Sequence, residues 1–130
     1  PEFAPRLSEV LDMGIDGRVY LLMGDGTIST YFVGTEDRSF EMRNLPDPDV
    51  HPMGLAMEPE TDQGMLYLGD PRQERIVVLD KRGEFKHQFR LSGEALKQLE
   101  ALAVNETPHV LYLIADNRLY AAPIPDFVAH

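Results

Sequence analysis

The sequence predicts an all-β protein built from three successive repeat units, and three observations carry that reading. An aliphatic-Tyr-Leu triplet occurs at Val19-Tyr20-Leu21, Leu66-Tyr67-Leu68 and Leu111-Tyr112-Leu113, its tyrosines 47 and 45 residues apart. Before each triplet lies an apolar stretch of small and aliphatic residues closing on a polar one: Met13-Gly14-Ile15-Asp16, Gly54-Leu55-Ala56-Met57-Glu58 and Ala101-Leu102-Ala103-Val104-Asn105. After each triplet comes a turn and another short run, at Gly26-Thr27-Ile28-Ser29-Thr30-Tyr31-Phe32, Arg75-Ile76-Val77-Val78-Leu79 and Arg118-Leu119-Tyr120-Ala121-Ala122. Short runs punctuated by Gly, Asp and Asn are strands joined by tight turns.

Each unit therefore begins with strands A, B and C. Small residues in strand A suit a strand packed closely against its neighbours. Asp16-Gly17 and Asp25-Gly26 read as hairpin turns, Lys81-Arg82-Gly83 as a hairpin loop with glycine at its left-handed position, and Asp116-Asn117 as a tight polar turn. A fourth strand is expected at about Ser39 to Arg43 in unit 1 and at Glu84 to Leu91 in unit 2. There Phe85, His87 and Phe89 alternate with Lys86, Gln88 and Arg90. In unit 3, Pro123 and Pro125 interrupt before a fourth strand, because proline cannot donate to a ladder. Ser92-Gly93-Glu94-Ala95-Leu96-Lys97-Gln98-Leu99 departs from strand logic, with a serine N-cap, an early glutamate and helix formers behind it. A short helical turn is expected near 93–99, connecting units 2 and 3.

A repeat of about 45 residues holding four short strands has the length of a β-propeller blade. The units span 5–48, 49–92 and 93–126, the last incomplete, with a tail at 127–130. Pro1-Glu2-Phe3 reads as a cloning remnant, and the chain as the C-terminal part of a larger propeller. Three blades do not close a ring of the usual four to eight, so open sheet faces and edges are expected to drive association, including two copies pairing into a six-bladed ring.

The middle unit carries a resemblance. Pro52-Met53-Gly54-Leu55-Ala56-Met57, Leu66-Tyr67-Leu68-Gly69-Asp70, Arg75-Ile76-Val77-Val78-Leu79-Asp80 and Gly83-Glu84-Phe85 together resemble an NHL repeat, over residues 52–91. The outer units depart from that pattern, with Met23-Gly24 and Ile114-Ala115 where the strand-end Asp would stand. The resemblance implies a six-bladed propeller and no particular activity, since one architecture hosts many chemistries.

Composition narrows the function classes. Twelve basic against 22 acidic residues give a net charge of -10, which repels phosphate backbones and makes nucleic acid an unfavourable partner. The basic residues of unit 2 (Arg72, Arg75, Lys81, Arg82, Lys86 and Arg90) do not reverse that balance. The absence of cysteine excludes disulfides, zinc-thiolate sites and thiol nucleophiles. No apolar run reaches the ~20 residues of a membrane span, and the compartment is left open.

Catalytic motifs are sparse. No serine lies in a Gly-x-Ser-x-Gly elbow, and His51, His87, His109 and His130 are scattered without a partner set. Oxygen ligands for calcium at a channel are conceivable at Glu58, Asp70 or Asn105. Against this, Glu58, Glu60 and Asp62, like Asp47 and Asp49, read as solvated acidic loops beside Pro59 and Pro48, and neither group fits a calcium loop. Asp70 reads as an acceptor for the N–H groups of the Pro71-Arg72-Gln73 turn. The three tyrosines read as packing between units, and Met13, Met23, Met53, Met57 and Met65 as core filler.

The expected function is a non-catalytic scaffold that presents loops to a partner protein or small ligand. The alternatives are part of a calcium-dependent propeller hydrolase or lactonase, and the sensor domain of a signalling protein.

Overall fold

A computed structural model describes residues 7–16, 18–32, 35–37, 40–47, 50–58, 64–91, 96–106 and 109–125. The described chain forms eleven strands: β1 (Val10–Asp16), β2 (Arg18–Met23), β3 (Ile28–Phe32), β4 (Thr35–Asp37), β5 (Gly54–Met57), β6 (Met65–Asp70), β7 (Arg75–Asp80), β8 (Phe85–Arg90), β9 (Leu99–Glu106), β10 (His109–Ala115) and β11 (Arg118–Pro123). They make three antiparallel meanders, ordered β1-β2-β3-β4, β5-β6-β7-β8 and β9-β10-β11. The all-β class and the count of four, four and three strands follow the sequence expectation.

The turns form for local reasons. Gly26 and Gly83 take φ of +89° and +100°. In both hairpins the glycine N–H donates back to the residue that opens the loop, Met23 O and Asp80 O. This is a type I turn closed by a left-handed residue, where a Cβ would be strained. Asp80 Oδ1 also accepts from Arg82 N and Glu84 N, as Asp25 Oδ1 does from Thr27 N. Asp116 and Asn117 both have positive φ, as a two-residue type I′ hairpin requires.

Gly83 has a further duty. A Cβ there would collide with the Glu41 carbonyl oxygen, because residues 41–43 run alongside the β7–β8 hairpin, with Arg43 N donating to Gly83 O and Phe85 N to Arg43 O. Gly83→Ala is expected to cost at least about 1–2 kcal/mol from φ alone. Urea unfolding would measure it, and an unchanged midpoint would refute the tight crossing.

Two expectations about the fold are corrected. The fourth strand of unit 1 is β4 at Thr35–Asp37, before the expected Ser39–Arg43; Ser39 lies outside the described residues, and residues 40–45 leave the sheet. Phe40 and Met42 alternate, and with Leu45 they lie on the core between sheets 1 and 2, where Phe40 meets the Tyr20 ring edge-on at 6.0 Å. The expected helical turn near 93–99 is not among those corrected: Ser92–Ala95 lie outside the described residues, Leu96–Gln98 form turns, and β9 begins at Leu99. Met13 and Met53 are exposed instead of filling the core. The expected remnant at 1–3, Gly17 and the tail at 127–130 also lie outside the described residues.

The sheets stack face to face, and the hairpin registers set which residues share a face. Tyr20, Leu22 and Ile28 of sheet 1 meet Leu55, Leu66, Leu68, Val77 and Leu79 of sheet 2. The opposite face of sheet 2, with Ala56, Tyr67, Ile76 and Val78, meets Leu102, Leu111 and Leu113 of sheet 3, joined by Leu96, Leu99 and Ile124. The first strands β1, β5 and β9 approach one another closely, which the small residues permit. A Cβ on Gly14 would fall 2.5 Å from Met57 Sδ, and one on Gly69 2.5 Å from Leu99 Cδ2. Sheet 2 is thus covered on both sides, matching the unbroken apolar runs in β6 and β7.

Candidate functional site

Two buried polar clusters hold the chemistry-bearing side chains, at opposite ends of sheet 2. Glu58 follows β5 and is only 2% exposed, contrary to the solvated loop expected there. Its Oε1 accepts from Met65 N at 2.9 Å, while Oε2 accepts from the Tyr67 hydroxyl at 3.4 Å and lies 2.9 Å from His109 Nε2. The Tyr67 hydroxyl is itself 3.0 Å from that nitrogen, and the two rings meet edge-on. His109 opens β10, so the cluster ties sheet 2 to sheet 3. Hydrogen bonds to each oxygen offset the desolvation of the carboxylate. Glu60 and Asp62 lie outside the described residues.

At the other end, Asp70 and Arg75 face each other across the β6–β7 hairpin and are buried. Asp70 Oδ2 accepts from Arg75 Nε at 3.0 Å, and the turn Pro71–Gln73 receives no side-chain cap from Asp70, contrary to expectation. A cross-strand carboxylate–guanidinium pair competes for the oxygen more strongly than turn N–H groups do. The two remaining Arg75 nitrogens donate to Gln88 Oε1 and the Asp47 carbonyl, both at 3.0 Å, and Gln73 Nε2 donates to the Asp47 carboxylate at 2.7 Å. The connector between sheets 1 and 2 is thereby pinned to sheet 2. Asp70 Oδ1 is buried without a hydrogen-bond partner among the described residues. Asp49, expected to pair with Asp47 in a loop, lies outside them. A cavity of about 350 Å³ borders this cluster, lined by Asp47, Gln73, Arg75, Gln88, Phe89 and Arg90.

The three expected oxygen ligands do not converge. Glu58 N bonds Met65 O at one end of β6, whereas Asp70 closes the other end. Five residues of strand separate those ends, about 17 Å. Asn105 lies exposed near the end of β9, opposite Val110. No group of three or more His, Asp or Glu residues among the described ones is arranged to hold a metal.

The Asp70–Arg75 pair was open to sequence reading as opposite charges flanking a short hairpin. His109 as a partner of Glu58 was not, because that contact joins positions 51 residues apart. Nor does any local signal mark Asp12, whose Oδ2 accepts from Leu55 N at 3.0 Å and clamps β1 to β5.

These features define a class: stacked antiparallel meanders whose buried polar groups act as clamps between sheets. No family model matches the chain, and no curated protein matches it.

Proposed function

We propose that the chain is a non-catalytic β-propeller-type segment that serves as a binding scaffold for a partner protein or small ligand. The observation that carries this reading is how the reactive side chains are spent. Glu58, Tyr67 and His109 bond to one another, and Arg75 uses all three of its nitrogens to fasten Asp70, Gln88 and the connector. Such groups are structural anchors, and the surfaces left for recognition are turns and strand ends. The cavity beside Arg75 and Arg90 is of a size that receives a small ligand or a partner's side chain. The face-to-face stack, with small residues on the first strands, supports the propeller reading, as does the resemblance of residues 52–91 to an NHL repeat.

The calcium-dependent hydrolase alternative would draw ion ligands from Glu58, Asp70 or Asn105, and the separation of Glu58 from Asp70 weighs against their sharing one ion. Thermal melting in a calcium titration tests the choice. A ligand at a hundredfold excess over its Kd stabilises by about 2.7 kcal/mol, a rise of several degrees. The melting point is expected to stay unchanged up to millimolar calcium, and a saturable rise would favour the hydrolase.

A further inference from the structure

Resting on the binding-scaffold reading, we infer that the cavity beside Arg75 and Arg90 is a carboxylate site: it takes a singly charged carboxylate, carried by a small organic acid or by an acidic side chain of a partner protein.

Two arginines face each other where strand pairing favours opposite charges. Arg75 and Arg90 are register partners across β7 and β8, so their side chains leave the same face of sheet 2. Like charges directly opposite on a sheet repel. Arg75 is compensated from its other side, because Asp70 is its register partner on β6 and accepts from its Nε at 3.0 Å. Arg90 has no such relief: among the described residues its guanidinium makes neither a hydrogen bond nor an ion pair. The row Asp70, Arg75, Arg90 therefore keeps one uncompensated positive charge, and that charge borders the cavity of about 350 Å³.

The cavity also holds donors already fixed in place. Arg75 engages one N–H at each nitrogen, with Asp70, Gln88 and the Asp47 carbonyl, and a second N–H on Nη1 and on Nη2 has no partner among the described residues. Those three bonds hold the guanidinium, only 5% exposed, in one orientation before any ligand arrives. Gln88 gives its Oε1 to Arg75, which leaves its amide N–H groups as further donors on the same lining. Asp47 is the acidic group on the wall, half-buried, with Oδ2 accepting from Gln73 Nε2 at 2.7 Å. Its charge opposes a doubly charged phosphate more strongly than a singly charged carboxylate. A carboxylate also presents two coplanar oxygens, which a guanidinium edge meets as a fork.

Nuclear magnetic resonance of the isotope-labelled chain, titrated with acetate at fixed ionic strength, reads the binding. Saturable shifts are expected at the side-chain N–H signals of Gln88 and Arg90, with a Kd of order 1–10 mM for so small a ligand. Arg90→Gln removes an exposed charge and is expected to weaken binding at least about tenfold. Arg72→Gln makes the same change at an exposed turn residue outside the cavity lining and should alter the Kd by less than about twofold. Unchanged dispersion of the backbone amide signals establishes that both variants remain folded. Phosphate should bind more weakly than acetate. A peptide blocked at both ends and carrying one glutamate separates the two sources: tighter binding than acetate assigns the site to a partner's side chain, and weaker binding assigns it to a free acid. The absence of saturable shifts with acetate and peptide alike overturns the inference, as does phosphate binding tighter than acetate, or an equal loss in the Arg90 and Arg72 variants. Such a failure leaves the scaffold reading standing, whereas a calcium-dependent rise in melting point counts against that reading whatever these probes do.

Discussion

Asp70→Ala is expected to lower the unfolding free energy by about 3–5 kcal/mol, because removing one partner of a buried ion pair strands the other charge away from water. Arg75 would keep Gln88 and the Asp47 carbonyl as acceptors but lose its counter-charge. For a domain whose total stability is of order 5–15 kcal/mol, the loss is a large share of the whole. Joint replacement, Asp70→Leu with Arg75→Met, removes both charges and should recover part of the loss. Recovery stays incomplete because the connector forfeits its bond to Arg75. Urea unfolding at constant m-value measures both variants, and a loss under about 1 kcal/mol for Asp70→Ala would refute the buried pair.

Tyr67→Ala should cost a similar amount, about 3–5 kcal/mol, as for other large aromatic truncations in a packed core. The ring fills the space between sheets 2 and 3, and its hydroxyl meets Glu58 and His109. Tyr67→Phe keeps the ring and should cost about 1 kcal/mol, since Glu58 and His109 still bond each other. The informative comparison is Tyr112→Ala, the same residue of the repeat on an open face. Measured at concentrations where the chain is monomeric, it should cost under about 1 kcal/mol. Equal losses at Tyr67 and Tyr112 would contradict the one-sided exposure of sheet 3.

The parts of the fold that were legible in advance are those decided within a few residues. Gly83 closing the Lys81-Arg82 turn, Asp116-Asn117 joining β10 to β11, and the alternation of β8 all rest on local backbone preference or on side-chain period. The misreadings have a common origin in contacts distant along the chain. Phe40 and Met42 alternate like a strand, but the partner they satisfy is the core between two sheets. Glu58 lies at the head of an acidic, proline-containing stretch that composition marks as solvated, yet His109 and Tyr67 draw its carboxylate inside. Asp70 was recognised as a strand-end acceptor, but with turn amides in place of Arg75 as its donor.

The repeated tyrosines mark the boundary between what sequence and tertiary structure decide. By itself the sequence determined that Tyr20, Tyr67 and Tyr112 occupy one position of a repeating strand, because a period of two and the turns on either side assign each residue to a face. Only the stacking of the sheets decided that two of them are buried and the third is exposed. Local periodicity tells a side chain which face it shares; what covers that face depends on a sheet encoded some 45 residues away.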